Sequence, residues 1–88
     1  MIYLVRLWPA PGLRSDQVEA ILNQEQDWIR FDEMTWLVRS RRFAQDLHLR
    51  LAPLVQNGRH LVMQVDKRNT QGGMTQPFWD WVNKPELP

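Results

Sequence analysis

Three arginines, Arg39, Arg41 and Arg42, close the stretch DEMTWLVRSRR (residues 32–42), and Arg59, Lys67 and Arg68 flank a second apolar run further on. Guanidinium groups at this density suit anions. Their planar forks match phosphate oxygens in a bidentate way that an ammonium cannot reproduce. Nine arginines against two lysines lean the same way. The charge is also unevenly placed. Residues 1–38 carry a net −3, residues 39–68 a net +5 and the remainder −1, although the whole chain is only +1. A basic middle on a near-neutral chain suggests one local anionic partner. Arg39, Arg41, Arg42, Arg59, Lys67 and Arg68 are therefore the candidate nucleic-acid contacts. The same residues also read as the solvated ends of two strands.

Other residue types offer less. His48 and His60 are the only histidines. A metal site would require them to converge with a carboxylate as third ligand, whereas His48 is expected on a helix flank. Ser15 and Ser40 show no neighbouring base, so a nucleophilic role is not indicated. Asp32-Glu33 reads as a solvated turn. Gly72-Gly73 lacks the strand, lysine and helix of a phosphate-binding loop and reads as a hinge. Without cysteine there are no disulfides, thiolate metal sites or thiol nucleophiles. No catalytic residue, metal site or cofactor is assigned.

The elements that would hold these residues follow from periodicity. Ile2, Leu4, Arg6 and Trp8 alternate with Tyr3, Val5 and Leu7. Both faces are mostly apolar, which predicts a central strand ended by Pro9, Pro11 and Gly12. Ser15 or Asp16 can cap a first helix, with Glu19 at capping-box spacing from Asp16, that stops near Gln24. DWIRF and TWLVRS are expected to pair as a hairpin through Asp32-Glu33-Met34. Phe43, Leu47, Leu51, Leu54 and Val55 mark one face of a second helix that Pro53 kinks or ends and Asn57-Gly58 stops. HLVMQV makes a fourth strand, and PFWDWV a short final helix with Pro77 in its first turn. Trp79 and Trp81 are two apart, so one is expected against the sheet and the other toward a partner, a base or solvent.

The order β-α-β-β-α-β predicts an α+β, ferredoxin-like domain: a four-stranded antiparallel sheet with two helices on one face. One domain is expected over 1–88, with a core of about 2–68 and an appendage of about 69–88. The second sheet face then needs water, the final helix or another copy of the chain as its cover. Nothing approaches the roughly 18 apolar residues of a membrane span. The expectation is a cytoplasmic protein with no membrane contact, and its small size favours a homodimer.

Tyr-Leu-Val on the first strand, MTWLVRS on the third, LAPLV at the end of the second helix and HLVMQV on the fourth strand resemble SinR-like proteins. These are relatives of the second CRISPR-associated protein, the dimeric subunit of spacer acquisition. The likeness covers about residues 2–66, and Thr35-Trp36-Leu37-Val38 is its most specific part. It implies a ferredoxin-like homodimer. In nuclease-competent relatives a metal-binding Asp ends strand one; here that position falls on Trp8, and indole neither ligates Mg²⁺ nor serves as a base. The resemblance thus carries the fold and the dimer and argues against nuclease chemistry, and the preferred reading is a non-catalytic dimeric binding or bridging module with a nucleic-acid or protein partner. The alternatives are a metal-dependent nuclease using Asp16 or Asp66, and a toxin–antitoxin-type interaction module.

Overall fold

A computed structural model of the 88-residue chain describes residues 1–56 and 58–85. The strands are β1 (Ile2–Leu7), β2 (Asp27–Asp32), β3 (Thr35–Arg39) and β4 (His60–Val65). The helices are α1 (Ser15–Leu22), α2 (Ala44–Leu51) and α3 (Gln76–Val82). Short 3₁₀ turns follow α2 at Ala52–Leu54 and β4 at Lys67–Asn69. The strands form one antiparallel sheet in the order β2-β3-β1-β4. As its two-faced apolar pattern predicts, β1 is interior, paired with β3 on one side and β4 on the other.

Alternation along β1 sorts the core into two layers. Val5 and Leu7 join Trp36 and Val38 of β3 beneath Val18 and Leu22 of α1 and Leu51 of α2. Ile2 and Leu37 lie on the opposite face beneath Phe78, Trp81 and Val82 of α3. The final helix is thus a cover for the second sheet face. Each of its three buried side chains contributes about 1.5–3 kcal/mol of burial. Trp81 also donates its indole N–H to Asp27 Oδ2 at 2.9 Å. Trp79 is half-buried and meets Phe78 edge-on at 5.1 Å, so both tryptophans of this helix pack on the same layer.

Locally the structure bears out some expectations and corrects others. Arg14 caps α1, its backbone N–H donating to Gln17 Oε1 at 3.0 Å. Glu19 instead accepts the Trp36 indole N–H at 3.1 Å across the core. The expected hairpin of β2 and β3 forms without a glycine or any non-glycine residue at positive φ, and its pairing shifts register between Arg30 and Asp32. α2 stops at Leu51 and Pro53 lies in the 3₁₀ turn, because proline has no N–H for the next helical bond. Phe43, expected on the buried stripe, sits at the N-cap and is 71% exposed. Asn57 lies outside the described residues.

Candidate functional site

The pairing of β1 decides where the basic residues meet. Ile2 is opposite Arg39 on one side and Val65 on the other. The C-terminal ends of β3 and β4 therefore lie at the same end of the sheet, with only β1 between them. Two strand spacings amount to about 10 Å. Arg41 and Arg42 follow β3, and Lys67 and Arg68 follow β4, so these four share one rim. β3 is interior, and of the two only β4 is an edge. Arg59 is at the far end, where Leu7 pairs with His60 and the Trp8 N–H donates to the Arg59 carbonyl at 2.9 Å.

The cations at this rim are used differently. Arg39 is 2% exposed and points inward. Its Nη2 donates to the carbonyl oxygens of Trp81 (2.7 Å), Val82 (3.1 Å) and Lys84 (3.0 Å), and the guanidinium lies 4.8 Å from the Trp81 ring centroid. A cation at the carbonyl end of α3 complements that helix's dipole. Arg42 Nε donates to Glu25 at 3.1 Å, and Arg50 donates to the same carboxylate oxygen at 3.0 Å. The Glu25 side chain is only 3% exposed. It also accepts the Ser40 hydroxyl at 2.5 Å, and Ser40 Oγ in turn accepts the Arg42 backbone N–H at 2.9 Å. This clasp ties the end of β3 to the α1–β2 connection and to α2. Ser40 has a carboxylate neighbour that its sequence context did not reveal, but it is fully buried and lies beyond reach of a substrate.

Arg42 is exposed despite this clasp, and three further charges and one ring face outward. Arg41 and Lys67 are exposed. Arg68 is exposed too, with its guanidinium 3.2 Å from Asp66 Oδ1. That contact holds the Asp66 carboxyl below its ordinary range and raises Arg68. Phe43 lies beside Arg42 with most of its ring in water. The first turn of α2 is less open to anions than its position suggests, since Asp46 Oδ2 accepts the Phe43 N–H at 3.2 Å.

The opposite end has a different character. Arg6 and Arg59 lie 5.0 and 5.3 Å from the Trp8 ring centroid. Trp8 is thus a packing surface for two guanidinium groups. Asp16, at the start of α1, pairs with Arg14 at 3.1 Å. It follows the C-terminal end of β1, whereas Asp66 lies beyond the N-terminal end, about 17–20 Å away along the strand. Among the described residues no three His, Cys, Asp or Glu side chains group as a metal cluster.

One contact departs from the reading of the histidines. His48 Nδ1 and His60 Nε2 are 2.7 Å apart, and their rings are nearly parallel. His60 titrates below its ordinary value because of its partial burial and the neighbouring His48. The helical stripe placed His48 on the flank of α2 but gave no sign that the flank overlies β4.

Compared with family models, curated proteins and solved structures, the chain gives no significant match in any of the three. Among the described residues no helix is long and apolar enough to cross a membrane.

Proposed function

We propose that this protein is a ferredoxin-like, homodimeric binding module that holds a nucleic-acid strand at the β3–β4 rim and has no catalytic centre of its own. The observation that carries this reading is the β1 register, which gathers two separate basic segments at one end of the sheet. Arg41 and Lys67 contact phosphate, with Arg68 beside them. Phe43 offers a ring on which an unpaired base can stack, a contact worth about 1–3 kcal/mol. Arg39 supports the rim from within, and Arg42, itself exposed, is held at it by Glu25.

The strand order and the placement of α1 and α2 on one sheet face support the ferredoxin-like arrangement. The kinship with SinR-like proteins is part of the same proposal and agrees with that order. The nuclease alternative has less support, because Asp16 and Asp66 are each engaged by an arginine. The dimer reading rests on β4, an edge strand whose Leu61 and Met63 are 43% and 51% exposed. Open edges with apolar side chains readily pair with a further strand.

Two measurements test the proposal. Light scattering at high micromolar concentration should give twice the chain mass; a strictly monomeric mass removes the dimer. Fluorescence anisotropy at low salt should show saturable binding of a labelled single strand of DNA or RNA. Absence of binding to either removes the nucleic-acid reading.

A further inference from the structure

The histidine pair lies apart from the basic rim. His48 projects from the middle of α2 and His60 opens β4, so the pair bridges a helix and an edge strand. The ring nitrogens are 2.7 Å apart, the ring centroids 4.9 Å, and the planes are inclined by only 7°. A shallow recess surrounds them, bordered by Ala44, Gln45, Leu61 and Val62. His48 is exposed and His60 half-buried, so solvent reaches the pair. Neither ring is engaged by a carboxylate at the nitrogen that faces its partner.

We propose that His48 Nδ1 and His60 Nε2 form a chelating site for a first-row divalent transition ion of the zinc or nickel class, with water in the remaining coordination positions. The donor type fits. Imidazole nitrogen suits zinc, nickel and copper, whereas magnesium and calcium require oxygen. The bite is close to the one required. Zinc binds imidazole nitrogen at about 2.0–2.1 Å, which puts two tetrahedral ligands about 3.3 Å apart. The rings need to open by about 0.6 Å relative to their present contact, and rotation of the exposed His48 side chain supplies that movement. In the free pair one nitrogen donates its hydrogen to the other. On binding, the donor ring moves that proton to its other nitrogen, so two neutral rings take the ion without net proton release.

The consequence is a metal-dependent staple between α2 and β4. The ion fixes the edge strand to the helix layer at the first residue of the strand, beside the exposed Leu61. A ligand that binds only the folded chain raises its apparent stability in proportion to its occupancy.

The test uses the untagged full chain and the metal salts themselves. Calorimetric titration with ZnCl₂ and with NiCl₂ should show saturable binding near one ion per chain, and MgCl₂ should give none. Nitrogen-resolved NMR should move the ring signals of both histidines together as zinc is added. His48→Gln and His60→Gln should each weaken zinc binding at least tenfold. Zinc should raise the thermal midpoint of the natural chain and leave that of His48→Gln unchanged. Because His48 is exposed, its variant remains a fair test of the site if His60→Gln folds poorly. Absence of zinc binding at millimolar concentration, unshifted ring signals, or equal affinity in His48→Gln would overturn the assignment.

Discussion

The ends of β3 and β4 lie side by side across β1, yet they handle positive charge in opposite ways. β3 is interior, and protein covers both its faces at this end. Arg39 therefore turns beneath α3 and binds three of its carbonyls, while Arg42 is held by the nearly buried Glu25. β4 is an edge strand with no strand beyond it. Its two following cations, Lys67 and Arg68, remain in water. Arg39 is buried because it lies inside an interior strand that α3 covers. Arg41 and Arg42 lie beyond β3, in the connection to α2, and both are exposed.

The largest test of this contrast is Arg39→Ala. It removes charged hydrogen bonds at a buried site, which are worth about 1.5–3 kcal/mol each to the fold. The expected loss is about 3 kcal/mol in total, since the freed carbonyls at the end of α3 regain water. Urea unfolding followed by tryptophan fluorescence should show it, with the Trp81 environment changing first. A loss below about 0.5 kcal/mol, the level of an ordinary surface substitution, would erase the contrast.

Glu25→Gln should have a smaller effect, about 1–2 kcal/mol, because Arg42 and Arg50 are partly solvated and keep some of their hydrogen bonding. It should also release Arg42 toward the rim. The fall of single-strand affinity with salt should then steepen by about one contact. An unchanged slope would show that Arg42, freed from its carboxylate, makes no phosphate contact.

Phe43→Ala sharpens the assignment of the outward side. Single-strand binding should weaken by about 1–3 kcal/mol while duplex binding is unchanged. Equal losses for both forms would assign the ring a purely structural role. The smallest effect is expected at the far end of the sheet. Arg59→Ala removes a partly exposed contact with Trp8 worth about 0.5–1 kcal/mol and should leave nucleic-acid affinity as it was.

The elements were largely readable from the residues. The two apolar faces of β1 predicted an interior strand, and Pro53 marked the end of α2. The apolar positions of α3 marked it as one candidate cover for the second sheet face, beside water and a second copy of the chain. The rim was only half readable. Local pattern identified the basic residues, but their convergence depends on strand register across β1, a contact between residues far apart in the chain. The inward turn of Arg39 was hidden for a related reason. A strand alternates its faces, and Arg39 lies on the face of Leu37, which only the docking of α3 buries. Phe43 fitted the helical spacing, yet the helix begins one residue later and leaves its ring outside. The His48–His60 contact needed the packing of α2 on β4, which neither segment specifies alone.

In the proposed function, Arg41 and Lys67, brought to one end of the sheet by β1, form the phosphate-binding rim. Fluorescence anisotropy of a labelled single strand, titrated across a salt series, tests it through the Arg41→Ala/Lys67→Ala double variant beside Arg59→Ala. The double variant should bind more weakly and lose about two contacts from the salt slope, with folding stability within about 0.5 kcal/mol of the natural chain. Arg59→Ala should match the natural chain. Equal slopes for the natural chain and the double variant, or an equal loss in Arg59→Ala, would contradict the account.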